Sequence, residues 1–231
     1  GLPVGVVMLL TLLAGVLMGA ANGLGVAIGG VPPFIMTLGM MVMGRGLALT
    51  LADGQPISLG QRTRDFMWLG RGDFLGLPVP VWVFLIVAAI AIFVLRYTAY
   101  GRQIYAVGSN VEAARLSGIN VKMVTFSVYL ISGFLASLTA LIFVSRLTVG
   151  EPTAGEGIEL EAIAIAVIGG TSLFGGEGGV IGTIIGAAIL AVLANIMNLV
   201  GVSPFTQQIV KGAIIVIAVL YEMWSKRRAN K

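Results

Sequence analysis

The chain has 231 residues, 58% hydrophobic and only 10% charged, with 33 glycines and a mean hydropathy of +1.02. That composition excludes an ordinary soluble domain and predicts an all-α, polytopic integral membrane helix bundle. With no Cys and no His, disulfides, thiol nucleophiles, Cys- or His-held zinc and His proton relays are excluded; the +4 net charge sits in a few loops and a tail and is no nucleic-acid footprint.

A bilayer core asks for about 20 apolar residues per helix. Residues 4–28 supply the first span without any charge. Within it Gly15, Gly19 and Gly23 recur every four residues, a flat stripe that lets another helix approach closely. We expect that stripe, like the Gly182/Gly186 pair further on, to serve packing inside the subunit. The chain opens Gly1-Leu2-Pro3 without Met and enters this helix at once. We therefore expect an upstream part of the native protein ahead of it, rather than a cleaved signal peptide. Pro32-Pro33 breaks the chain and restarts it as a second span, 34–51. Its Met36, Met40, Met41 and Met43 read as pliable packing rather than a metal route. Arg45 stands about 17 Å along this helix from Phe34. At that depth it should face protein, water or an acid in the upstream segment, snorkelling being the alternative.

Residues 53–80 form an extramembrane connection in which Asp53, Asp65 and Asp73 balance Arg62, Arg64 and Arg71. Trp68 and Trp82 are suited to the membrane interface. Residues 81–95 give a third span, of full length if Val79 and Tyr97 extend it. A polar island, 96–122, follows. Within it, 108–122 has the grammar of a single short helix: Ser109 or Asn110 as N-cap, Glu112 in the first turn, Arg115 near the end and Gly118 as a left-handed stop. Two turns of helix are not stable alone, so something must hold this one. The plain alternative is a solvated loop helix with ordinary caps.

Residues 123–144 are the fourth span, and 146–161 is a loop with four Glu. The next segment, 160–168, is strongly apolar but short, and runs into a glycine-rich stretch, 169–179, that reads as a tight turn. Residues 180–200 and 205–221 are clear spans, and the tail ends in Lys226, Arg227, Arg228 and Lys231 against Glu222. By the positive-inside rule the island and the tail are both cytoplasmic. Two cytoplasmic ends need an even number of crossings, yet only three clear spans separate them. The 158–174 segment must then cross as well, as a short, Gly-interrupted span, giving about seven spans in all and placing Gly1 outside.

Polar residues inside spans are candidates for a hydrophilic path: Asn22, Arg45, Gln207, Lys211 and the pair Asn195 and Asn198, which share a helix face. Thr171 and Ser172 join them. Amides and hydroxyls suit an uncharged, hydroxyl-rich solute, although Asn in a helix also bonds simply to a neighbour.

The island carries a resemblance. The run from Glu112 through Ala113, Ala114, Arg115, Leu116 and Ser117 to Gly118 reads E-A-A-x-x-x-G and resembles the cytoplasmic loop by which permease subunits of bacterial ABC importers dock on their ATPase. The wider text from Tyr105 to Val121 resembles ribose-type monosaccharide permeases, a branch that also includes branched-chain amino acid permeases. So do Pro152-Thr153-Ala154-Gly155, Glu161-Ala162-Ile163-Ala164, Gly169-Gly170-Thr171-Ser172-Leu173 with Gly175-Gly176, and Asn198-Leu199-Val200-Gly201-Val202-Ser203. The likeness covers essentially the whole chain, which departs from the pattern by beginning after the family's first helices and their Asp-containing motif.

The resemblance implies a single permease domain over 1–231 with a coupling loop at 96–122. It also implies a multi-pass inner-membrane subunit with a cytoplasmic C-terminus that pairs with a second permease subunit, as a homodimer. The same family reading brings a separate ABC ATPase, docked through Ser109, Asn110, Glu112, Ala113, Ala114, Arg115, Leu116 and Gly118, and a periplasmic sugar-binding protein. The solute would be a monosaccharide and the subunit itself no enzyme. No metal or cofactor is expected, and the chain has no GxxxxGK[ST] phosphate loop of its own. The reading from a different class is a secondary transporter driven by an ion gradient. It is disfavoured because no Asp or Glu falls within a clear span.

Overall fold

The computed structural model describes residues 3–60 and 64–229. Gly1, Leu2, Arg62 and Lys231, which entered the readings above, lie outside the described residues, as do the side chains of Arg64, Asp65, Lys226, Arg227 and Arg228. In chain order the described elements are α1 (Val4–Ala27), α2 (Pro33–Leu51), β1 (Ile57–Ser58), α3 (Arg64–Arg71), β2 (Asp73–Phe74), β3 (Leu77–Pro78) and α4 (Val79–Tyr97). Then come α5 (Ala99–Ser109), α6 (Val111–Leu116), α7 (Val121–Leu147), β4 (Val149–Gly150), α8 (Ile158–Ile168), α9 (Val180–Leu199) and α10 (Pro204–Ala229).

Among the described residues six helices are long and apolar enough to cross a membrane: α1, α2, α4, α7, α9 and α10 as far as Trp224. The polytopic helical bundle is thus as expected. The extra crossing placed over 158–174 is an 11-residue helix, α8, followed by turns. It reaches about half the length that a bilayer core asks for. Much of the helical surface remains apolar and outward, Leu17 (64% exposed) and Phe34 (76%) among it, as a lipid-facing surface requires.

The chain divides into two compact units. The first comprises residues 1–89 and 118–154. Its centre is an antiparallel contact between α1 and α7 made by the glycine stripe. A Cβ on Gly15 would strike Ser137, one on Gly19 the Tyr129 carbonyl, and one on Gly23 would lie 2.8 Å from the Phe126 ring. Gly133 answers from α7, where a Cβ would come within 2.9 Å of Gly19 Cα. The stripe is therefore consumed by packing within the unit, as anticipated. α2 returns beside α1, with Met36 filling the space over Gly25 and Met18 that over Gly44. Met36 thus packs as its soft, unbranched side chain suggests.

The connection read as a loop over 53–80 is more structured than its composition implied. α4 begins at Val79, so Pro80 stands in a first helical turn, where its missing N–H costs nothing. Ahead of it, α3 is fastened onto the end of α7. The Ser145 hydroxyl, fully buried, donates to the Phe66 carbonyl, and Arg71 Nε donates to the Arg146 carbonyl at 2.7 Å. Gly70 makes this approach possible, since a Cβ there would sit 2.5 Å from the Arg146 nitrogen. β1 pairs antiparallel with β4, Ile57 opposite Gly150, and β2 with β3. Trp82 Nε1 donates to the Phe74 carbonyl at 2.8 Å, and the two rings meet edge to face. Trp82 is therefore a fastener of this connection.

The second unit comprises residues 90–117 and 155–231. α8 lies antiparallel to α9, where Gly182 meets the Gly169 carbonyl and Gly186 the Ile165 carbonyl. α8 and the turn after it run parallel to α10, since Glu161 meets Lys211 at one end and Leu173 meets Glu222 at the other. The loop read over 146–161 ends early. Glu159 and Glu161 belong to the first turn of α8, where the helix dipole favours carboxylates.

Candidate functional site

The polar island holds two helices, the second of which is the short capped helix expected within 108–122. An elbow follows α4: Thr98 Oγ1 accepts from the Gly101 N–H at 3.1 Å and donates to the Val94 carbonyl at 2.6 Å. α5 then runs through Ser109, which leaves Asn110 as the cap of the short helix. The break falls at Asn110, in extended backbone at φ −155° and ψ 105°, closing α5 and opening α6. Its Oδ1 accepts from the Ala113 N–H at 2.9 Å, so of the two candidate caps Asn110 is the one that serves.

α6 is six residues long. Glu112 and Arg115 pair across one turn at 2.6 Å, with side chains 65% and 66% exposed respectively, so this ion pair adds little stability by itself. Ala114 is buried at 4% exposure, while Ala113 and Glu112 face out and Leu116 is 78% exposed. Ser117 donates its hydroxyl to the Ala113 carbonyl, and Gly118 follows at φ +82°, the left-handed stop that its residue type implied. The helix turns one small residue inward and presents a large apolar side chain beside an ion pair outward.

The path candidates fall into separate groups. Asn22 and Arg45 belong to the first unit, on α1 and α2, and the buried Asn22 Oδ1 finds no hydrogen-bond partner among the described residues. The other six belong to the second unit. Gln207 Nε2 donates to Asn198 Oδ1 at 2.8 Å and to the Val202 carbonyl at 3.0 Å. Lys211 Nζ, one turn on, lies 3.1 Å from a carboxylate oxygen of Glu161. Asn195 is exposed on α9, and Thr171 and Ser172 belong to the glycine-rich turn, where Ser172 Oγ accepts from the Phe174 N–H at 3.1 Å. The structure thus unites Asn198 with Gln207, and Lys211 with a residue missing from the candidate set, Glu161. A signal for it existed: a carboxylate at the head of the apolar 160–168 run requires a cation nearby.

Residues 2–219 match the family described as branched-chain amino acid transport system / permease component. Among curated proteins the chain is 46% identical to the ribose import permease protein RbsC of Haemophilus influenzae over 95% of this chain and 68% of that one. It is 48% identical to RbsC of Escherichia coli K12 over 90% of this chain and 65% of that one. The xylose transport system permease protein XylH of Escherichia coli K12 is 35% identical over 99% of this chain and 73% of its own. The chain therefore spans about two thirds of the length of the ribose permeases it matches. No solved structure matches it significantly. With several helices able to span the bilayer and a family match over most of its length, the chain belongs to the permease-component family of these import systems, as a multi-pass inner-membrane transport component rather than an enzyme.

Proposed function

We propose that this chain is the membrane-spanning subunit of an ATP-driven importer that carries a monosaccharide of the ribose type inward by alternating access. The observation that carries the reading is α6, a capped six-residue helix whose exposed Leu116 is flanked by the Glu112–Arg115 pair. An apolar anchor with a charged rim is the composition of a protein docking patch. The partner is a separate ABC ATPase, engaged through Ser109, Asn110, Glu112, Ala113, Ala114, Arg115, Leu116 and Gly118. A binding protein outside the membrane delivers the sugar, and a second identical permease subunit completes the pore.

In this reading the island and the C-terminus are cytoplasmic and 158–174 crosses as a short seventh span, its shortness compensated by burial against α9 and α10. Asn22, Arg45, Thr171, Ser172, Asn195, Asn198, Gln207 and Lys211 line the route, their amides and hydroxyls replacing the water that a sugar sheds. The similarity to ribose and xylose permeases supports a sugar over a branched-chain amino acid. The test replaces Glu112 or Gly118 in the complete transporter and follows sugar uptake together with ATP hydrolysis. Uptake should fall while the permease still reaches the membrane. Wild-type uptake in both variants overturns the docking role, and uptake that survives removal of the ATPase but collapses with an ionophore favours an ion-driven carrier.

A further inference from the structure

We infer that the glycine-rich turn between α8 and α9 transmits the movement of the docking helix into the helices of its unit, with Tyr105 and Glu222 as its positioning residues; this rests on the reading of α6 as the docking helix. The turn is pressed against the end of α5, immediately ahead of α6. A Cβ on Gly175 would strike the Gly108 carbonyl, one on Gly176 would lie 2.7 Å from Ser109 Cα, and one on Gly108 would lie 2.8 Å from the Gly176 nitrogen. No side chain fits between the two backbones, so nothing soft separates them. Gly175 and Gly176 also hold φ of +88° and +77°, a region that residues with a Cβ rarely adopt.

Two hydrogen bonds tie this junction together. The Tyr105 hydroxyl, one turn before Gly108 and Ser109, donates to the Gly178 carbonyl at 2.9 Å. On the other side the Leu173 N–H donates to the Glu222 carboxylate at 3.1 Å, fixing the turn to α10. The turn is thus held by α5 through Tyr105 and by α10 through Glu222, and it is covalently the end of α8 and the start of α9. A displacement of α6 and α5 reaches all three of those helices through one backbone contact. Closely packed elements shift as rigid bodies between discrete arrangements rather than deforming continuously, so such a contact conveys motion instead of absorbing it.

The test uses the complete transporter in proteoliposomes, with ATPase and binding protein, and compares Tyr105→Phe, Glu222→Gln and Gly176→Ala with wild type. Sugar transported per ATP hydrolysed should drop about fivefold in Tyr105→Phe, the scale of one hydrogen bond, while the ATPase co-purifies at wild-type yield and its basal hydrolysis is unchanged. An unaltered ratio in both Tyr105→Phe and Glu222→Gln overturns the inference. Loss of the ATPase from these two variants also overturns it, since their role would then be to shape the docking surface. Leu116→Asp, prepared alongside, should release the ATPase; if it does not, the docking reading fails by itself, separately from the transmission role.

Discussion

Lys211 Nζ lies 3.1 Å from a carboxylate oxygen of Glu161, so the cation inside the last span is neutralised by the short helix beside it. Each side chain is about one third exposed (35% and 34%), which places the pair between a surface and a buried ion pair. Neither α8, too short for the bilayer, nor α10, burdened with a lysine, is well suited to lipid alone. The pair answers the second difficulty by neutralising the lysine, and it ties α8 to α10.

Removing one member should therefore cost more than removing both. Lys211→Met is expected to lower stability by about 1–2 kcal/mol, because it leaves Glu161 without its cation. The exchange Glu161→Lys with Lys211→Glu should recover most of that loss. Thermal unfolding in detergent measures it, a single substitution lowering the midpoint by about 2–8 °C.

The glycine stripe gives a sharper contrast. Gly19→Leu drives a side chain into the Tyr129 carbonyl and should destabilise the α1–α7 contact by about 1–3 kcal/mol. Gly39→Leu on α2 meets open space and should gain up to about 1 kcal/mol from helix propensity. Detergent stability of the two variants distinguishes them. Because the stripe is consumed inside one unit, Gly19→Leu should reduce folded yield without changing the subunit stoichiometry of what does fold.

Leu116 is the largest exposed apolar side chain of α6, which makes it the first contact to test in the proposed docking. Leu116→Asp should weaken ATPase association at least about tenfold, or about 1.4 kcal/mol. Arg115→Ala should change folding stability by less than about 1 kcal/mol, since its partner Glu112 is equally exposed. Pull-down yield and detergent stability, measured in parallel, check both statements.

At the other end of α7, Ser145 is fully buried and donates to the Phe66 carbonyl. Ser145→Ala leaves that carbonyl without its donor and should cost about 1–3 kcal/mol. The loss is local. Hydrogen exchange should quicken across α3, at residues 64–71, while the α1–α7 contact keeps its protection.

Several elements could be read from the chain alone because their cause is local. The long helices follow from unbroken apolar runs, Pro32-Pro33 opens α2, and Asn110 and Gly118 bound the short α6, because proline, an Asx cap and a left-handed glycine act on their own backbone. The family resemblance rested on the same short motifs. The split of the island into α5 and α6 was less accessible, since Ser109 and Asn110 are both competent caps and residue type does not choose between them. Nor does composition show that 53–80 contains a helix docked on α7, because the bonds of Ser145 and Arg71 reach 79 and 75 residues along the chain.

The candidate path divides in the same way. Residue type singled out Asn198, Gln207 and Lys211, since polar groups within apolar helices need partners. Which partners they take, Glu161 for Lys211 and Gln207 for Asn198, depends on how α8, α9 and α10 lie against one another. The sequence by itself determined a polytopic helical permease with a short capped helix at Asn110 to Gly118. Only the tertiary structure decided that Tyr105, Gly108 and Gly175 bring the end of α5, immediately ahead of that helix, against the turn between α8 and α9. Hydropathy and capping act over a few residues, whereas the contact of two glycine backbones is made only when distant segments pack without side chains between them.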